Sequence, residues 1–409
     1  MISVHEQGQL VAAAARAIAN ASDEVRRGVL RQVAQSLRAQ EEAILDANQA
    51  DLDEYVDQGA GRDRLTLTPA RIAGMAVALE EMADQSDPLY EVTHHDVRPN
   101  GLIVEKVRVP LGVIGVVYEN RPNVTSDVAG LCVRSGNAAF LRGSSSATAS
   151  NAAIVALWHE ALAAHGLPEA VVTLVADTSH AAVVTFMQLT DVLDCLIPRG
   201  GPSLIAAMRE HARVPYVLDG DGNCHIFVDA SADLAMALAI VTNAKTTRPG
   251  VCNAAETVLV HEAIAPMFLP ALADMVPNVE LRGDAATQAL VPTARPASED
   301  DYAREFLALI LAAKVVGSVD EAMDHVARYG TGHSEAIVTS DAGNAERWLR
   351  EVDAAAVLVN ASTRFIDGGE LGLGGEVGIS TQKLHARGPM GLRELTCLKW
   401  TVRGEGQIR

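Results

Sequence analysis

From residue 113 to residue 359 the chain alternates short apolar runs with longer stretches whose apolar residues recur every three or four positions. The runs at 113–118, 138–142, 171–175, 192–197, 214–218 and 224–228 are separated by helical patterns at 124–134, 147–164, 179–189 and 202–211, and a further one follows at 231–244. Short buried strands divided by helices predict a parallel sheet covered on both faces. The alternation resumes after Lys245, with strands at 256–260, 314–316, 335–339 and 356–359 and helices at 262–275, 319–328 and 341–350. A chain of 409 residues exceeds what a single core of about 250–300 residues holds, so the pattern predicts two doubly wound α/β domains that divide close to Lys245.

Other periods flank this pattern. Residues 7–85 carry helical spacing, as in Val25, Val29, Leu30, Val33 and Leu37, and Thr68-Pro69 supplies an N-cap followed by a proline in the first turn. Extended stretches at 92–97 and 102–109 meet at Pro99-Asn100-Gly101, and Asn-Gly tolerates the positive φ angles of a tight hairpin. A last strand is expected at 395–402, after a glycine cluster at 368–378 that reads as a close-packed turn.

Charge narrows the partners. Lys and Arg number 33 against 52 Asp and Glu, and the net charge of -19 repels nucleic acid and anionic membrane surfaces. The first residues lack a basic segment followed by an apolar one, and no apolar run approaches the ~18 residues of a membrane span, so the cytoplasm is the expected location. The five cysteines include no Cys-x-x-Cys pair, which supports neither a metal site nor a disulfide framework.

One cysteine stands apart. Cys252 lies on the turn Thr247-Arg248-Pro249-Gly250-Val251-Cys252-Asn253, where Arg248 favours a thiolate. Cys132, Cys195 and Cys397 sit in apolar runs and read as packing, and Cys224 is a weaker candidate at the start of a strand. Two turns suit phosphate: Arg142-Gly143-Ser144 after one strand and Pro198-Arg199-Gly200-Gly201 after another, where helix-start amides and a guanidinium favour an anion.

Tyr118-Glu119-Asn120-Arg121-Pro122-Asn123-Val124-Thr125, Ser135-Gly136-Asn137-Ala138, Ile197-Pro198-Arg199-Gly200-Gly201, Leu218-Asp219-Gly220-Asp221-Gly222-Asn223-Cys224-His225, the Cys252 turn, Arg364-Phe365-Ile366-Asp367-Gly368-Gly369-Glu370 and Gly378-Ile379-Ser380-Thr381-Gln382-Lys383 resemble, in that order and over essentially the whole chain, the aldehyde dehydrogenase superfamily. The resemblance is closest to its acyl phosphate reductases. It implies an NADP-binding domain at 1–98 and 118–245, a catalytic domain at 246–388, and an oligomerisation element made of a hairpin and tail at 99–117 and 389–409. It further implies NADPH-dependent reduction of L-glutamyl 5-phosphate to L-glutamate 5-semialdehyde and phosphate, the second step of proline formation from glutamate.

Residue by residue, the resemblance makes Cys252 the nucleophile that forms a thioester and Asn123, ahead of Asn120, the oxyanion donor. It gives Arg142, Gly143 and Ser144 to the adenosine ribose and the extra phosphate of NADP, Gly200 and Gly201 to the pyrophosphate, and Glu305 to the nicotinamide ribose. Arg121, His225, Arg248, His333 and Arg364 are candidates for the substrate's phosphate or carboxylates. A homodimer or homotetramer and a functional coupling to glutamate 5-kinase are implied as well. Hydrolytic members of the superfamily carry a general-base glutamate where this chain has Leu218, with Asp219 and Asp221 nearby in sequence. Losing that base spares a thioester from water. The competing readings are a hydrolytic aldehyde dehydrogenase, a non-catalytic nucleotide-binding regulator of the same fold, and an acyltransferase with another acceptor.

Overall fold

The computed structural model describes residues 2–56, 60–218 and 220–409. They form two compact units: Met1–Leu218 with Gly372–Gly378 and Met390–Arg409, and Asp219–Leu371 with Ile379–Pro389.

In the first unit four parallel strands lie in the order Val172–Leu174, Ala138–Arg142, Val113–Tyr118, Cys195–Arg199. Every residue of Val113–Tyr118 is buried, as a central strand covered on both faces requires. Helices Val4–Ala19, Asp23–Ala39, Glu41–Glu54 and Pro69–Asp84 realise the amphipathic N-terminal region, and Thr68 caps the last of them by accepting the Arg71 N–H. Trp158, Phe140 and Phe186 are wholly buried in this unit, the two phenylalanine rings 4.9 Å apart.

A separate three-stranded antiparallel sheet runs Val92–Val97, Ile103–Pro110, Thr396–Arg403. The Asn-Gly hairpin is therefore present, with Gly101 at φ 86°, and the chain's last strand zips along its second arm. Strand Val92–Val97 belongs to this sheet and Val113–Tyr118 to the four-stranded one, which corrects the expected limits of 99–117 for the hairpin element. The glycine cluster packs tightly, since a Cβ on Gly375 would lie 2.7 Å from Met82 and one on Gly374 3.1 Å from Gln85.

The second unit is built on seven parallel strands, ordered Arg295–Pro296, Glu280–Gly283, Ile310–Val316, Ala255–His261, Cys224–Val228, Ser334–Val338, Ala356–Val359. Cys224–Val228 sits between Ala255–His261 and Ser334–Val338, deep in this sheet. The division close to Lys245 is thereby corrected: strand 224–228 and helix Leu234–Thr246 belong to the second unit, and contacts divide the chain after Leu218. The strand expected at 214–218 reduces to one bridge, Leu196 with Tyr216, because the chain touches the sheet edge there and leaves. The core holds Phe227 stacked on Trp348 at 5.8 Å.

Candidate active site

Helix Leu234–Thr246 delivers the chain into the turn that carries Cys252, and strand Ala255–His261 takes it back into the sheet. The turn is stitched to the segment after Ala356–Val359: the Asn253 amide donates to the Ile366 carbonyl at 2.8 Å and the Thr363 hydroxyl to the Asn253 carbonyl at 2.7 Å. On another side the backbone of Gly222 presses against Cys252 so closely that a Cβ would fall 1.7 Å from the Cys252 carbonyl oxygen. That position accepts glycine alone. The Gly222 N–H donates to Glu305 Oε1 at 2.9 Å, and the Cys224 thiol donates to the Cys252 carbonyl at 3.1 Å.

Cys252 is half-buried. Arg364 lies in electrostatic reach of both Cys252 and Arg248, and burial holds its pKa below the usual guanidinium range while Asp367 pulls the other way. Its buried Nε has no hydrogen-bond acceptor among the described residues, an unspent donor of the kind a phosphate or carboxylate would satisfy. Arg248 is exposed. Three of the competing thiols are silenced by their surroundings: burial pushes Cys195 up to about 12, and Cys132 and Cys224 higher still, whereas Cys397, expected to pack in the core, is exposed on the chain's last strand.

The two candidate histidines lie in the interior of the second unit. His225 and His333 are fully buried: His225 stands on strand Cys224–Val228, opposite Glu335 of the neighbouring strand, and His333 immediately precedes that strand. His225 Nδ1 lies 3.0 Å from Glu335 Oε2, whose pKa burial raises and His225 partly restores, and His333 Nδ1 lies 2.8 Å from the Ser334 hydroxyl. Asp219 lies outside the described residues, and Asp221 is exposed, its carbonyl taken by the Thr331 hydroxyl at 2.5 Å.

In the first unit Gly143 lets the turn after Ala138–Arg142 descend onto Asn151, since a Cβ there would stand 2.3 Å from the Asn151 amide nitrogen. Ser144 caps the short turn that follows, and the Ser146 hydroxyl donates to Asn120 Oδ1 at 2.5 Å while the Asn120 amide donates to Tyr55 at 2.7 Å. Asn120 is thus part of the turn's scaffold. Asn123 donates instead to Asp127 at 3.0 Å, and burial raises Asp127 to about 6 against the pull of Asn123 and Arg199. Arg121 is half-buried at the start of helix Pro122–Arg134.

Beside Gly143 and Ser144 opens a cavity of about 480 Å³, walled by Ala152, Val155 and Ala156 of helix Thr148–Ala164 and by Thr173–Ala176. It is a mainly apolar slot with a few polar groups in its lining, a chemistry that suits a heterocyclic base. Arg142 Nη2 donates to the carbonyls of Thr178 and Ser179 there.

Carboxylates stand at both helix starts expected to take an anion. At helix Thr148–Ala164 the Asp51 carboxylate accepts the N–H of Ala149 at 3.0 Å and of Ser150 at 2.8 Å, so those amides are already spent. At helix Pro202–His211 Glu119 Oε2 accepts the Gly201 N–H at 3.1 Å, and a Cβ on Gly200 would lie 2.7 Å from the same carboxyl group.

The family model for the aldehyde dehydrogenase family matches residues 3–301. The gamma-glutamyl phosphate reductase of Xanthomonas campestris pv. campestris (strain 8004) is 50% identical over 401 residues, 97% of this chain and 97% of its own. The chain belongs to the aldehyde dehydrogenase family, in its gamma-glutamyl phosphate reductase branch. The gamma-glutamyl phosphate reductase of Clostridium novyi (strain NT) is 51% identical over 411 residues, 99% of each chain. The crystal structure of the Thermotoga maritima gamma-glutamyl phosphate reductase matches with a TM-score of 0.97 at 46% identity, covering 100% of both chains. Among the described residues no helix is long and apolar enough to cross a membrane.

Several site features of this aldehyde dehydrogenase-family chain went unread in its sequence. The cavity wall had a signal, small residues at helical spacing in 152–156, whereas Asp51 and Glu119 come from elements far along the chain and gave none. A buried ion pair, Lys245 Nζ to Glu256 Oε2 at 2.5 Å, also lies beside the Cys252 turn.

Proposed function

We propose that this chain reduces L-glutamyl 5-phosphate to L-glutamate 5-semialdehyde and phosphate with NADPH, through a thioester on Cys252. The observation that carries the reading is the half-buried Cys252 thiol in electrostatic reach of Arg364, whose Nε is buried and unspent among the described residues. Reductase relatives at 50% identity over nearly the whole chain support the same substrate.

In this reading the Cys252 thiolate adds to the acyl carbon, the carbon–oxygen bond to phosphate breaks, and phosphate leaves with the electron pair. Arg364, with Arg248 and Arg121, binds the phosphate and carboxylates of the substrate, a guanidinium meeting either group through two parallel hydrogen bonds. The Cys252 N–H and the Asn123 amide serve the oxyanion, and Asp127 fixes the Asn123 amide plane. Leu218 in place of a general-base glutamate leaves the thioester to reduction and not to water. When bound, the nicotinamide supplies the hydride that reduces the thioester carbon. Collapse to the aldehyde returns Cys252 as a thiolate.

The cavity beside Gly143 and Ser144 would seat the adenine, Gly200 and Gly201 the pyrophosphate, and Glu305 the nicotinamide ribose. NADPH is favoured over NADH because Arg142 places a cation at the ribose end. A homodimer or homotetramer formed through the three-stranded sheet, a cytoplasmic location and coupling to glutamate 5-kinase complete the proposal. The coupling follows from chemistry, since an acyl phosphate hydrolyses unless its maker and its consumer work together.

The decisive experiment runs the reaction backwards, supplying glutamate semialdehyde and NADP with and without phosphate. NADPH should form only with phosphate, and Cys252→Ala should abolish it. Turnover without phosphate would mark a hydrolytic dehydrogenase, and full activity in the alanine variant would refute the nucleophile.

A further inference from the structure

The Lys245–Glu256 pair is fully buried, with side chains 1% and 0% exposed. Burying two charges costs desolvation that their mutual attraction barely returns, and a well-packed apolar pair often gives equal or greater stability. Stability alone therefore gives no reason for the pair, and the second carboxylate oxygen supplies a geometric one. Glu256 Oε1 accepts the Leu307 N–H at 3.1 Å. Leu307 has φ 54°, in the left-handed region that a residue bearing a Cβ rarely enters, so the local chain does not choose this conformation unaided.

Two residues before it stands Glu305, whose carboxylate holds the Gly222 N–H, and Gly222 is the residue packed against the Cys252 backbone. The Leu307 carbonyl meanwhile passes 3.8 Å from where a Cβ on Gly250 would lie, so segment 305–307 runs along the nucleophile's turn. The pair and Glu305 also share one electrostatic environment: burial lowers Lys245 and raises Glu256 to about 7, and the Glu305 charge acts on both.

We propose that Glu256 is a positioning residue for Glu305: its carboxylate pins the strained Leu307 backbone, and Lys245 holds that carboxylate in place. The proposal rests on the reading of Glu305 as the residue that meets the nicotinamide ribose. What matters is the acceptor at Leu307 and not the charge.

Two double variants separate these roles. Lys245→Met with Glu256→Gln removes both charges and keeps an oxygen facing Leu307, and Lys245→Met with Glu256→Leu removes the acceptor too. NADPH affinity is read by fluorescence titration, the Leu307 amide by hydrogen exchange, and Cys252 by its rate of alkylation with iodoacetamide. The leucine double should bind NADPH about tenfold more weakly or worse and exchange the Leu307 amide at least about tenfold faster, the loss of one buried acceptor being of that size. Its alkylation rate should stay within about threefold of the parent, and the glutamine double should stay within about threefold on all three readouts. Equal behaviour of the two doubles in affinity and exchange would overturn the proposal. Should the leucine double fail to fold, Glu256→Asp keeps the charge pair, draws the acceptor back by one methylene, and should loosen the same amide; an unchanged amide there would overturn it equally. A parent that binds no NADPH would instead defeat the cofactor reading, and that is seen before any variant is compared.

Discussion

At Gly222 the space for a side chain is already occupied by the carbonyl of Cys252. Gly222→Ala must move one backbone or the other, and a displacement near 1 Å at a reacting group costs about 100-fold in rate. We expect kcat to fall by at least that factor with a lowered melting temperature, and a variant within threefold of the parent would show that the contact relaxes freely. His325 makes a pH statement. Burial, then His225, Lys314 and Arg328, depress its pKa to about 3. An unfolded histidine binds its proton near ~6.5, so below that pH the unfolded chain gains protons that the folded one refuses, and stability falls on acidification. Between pH 7 and pH 5 the parent should lose about 2 kcal/mol more in urea unfolding than His325→Phe, which has no proton to take. Chemistry at this scale was legible where neighbours in sequence create it. The turn around Cys252 and Arg248 is local and shows in the sequence, whereas the burial of His225 and His333 does not, since it depends on segments more than a hundred residues apart.

The helix Thr148–Ala164 shows how elements borrow what they lack. Its first residues offer no side-chain cap, and Asp51, from helix Glu41–Glu54, takes two of its leading amides and the Ser150 hydroxyl. Asp51→Ala should cost about 1–2 kcal/mol, as lost caps do, and weaken cofactor binding severalfold because the same helix walls the cavity. Thermal unfolding and a binding titration check the two parts. An unchanged melting temperature would mean that water replaces the carboxylate. Elements with a strong period, such as the helices at 23–39 and 69–84 and the buried strands 113–118 and 138–142, emerge where the sequence implies. Between residues 276 and 313 the strand Glu280–Gly283 and helices Ala285–Leu290 and Glu299–Tyr302 escaped notice, because four to six residues are too few to display a period.

For the molecule as a whole, two α/β units were foreseeable from alternation, and their border was not. A strand's sheet is decided by its partners, and Cys224–Val228 pairs forward in sequence, with strands not yet reached when the chain is read from its start. The three-stranded sheet carries the assembly proposal. Leu398, Trp400 and Val402 alternate along its last strand and are 41%, 56% and 57% exposed, an apolar face that water disfavours. Trp400→Glu should shift the oligomer toward smaller species by light scattering without loss of helix content, and an unaltered mass would exclude this face as the interface.

That sheet also ties folding to the order of synthesis. Strand Ile103–Pro110 leaves the ribosome early, and its partner Thr396–Arg403 follows only after the entire second unit. Throughout translation the nascent chain therefore displays an unpaired strand edge, the feature that recruits other chains into aggregates. A chaperone that shields residues 103–110 would do most good on ribosome-bound chains, and least once residue 403 has emerged.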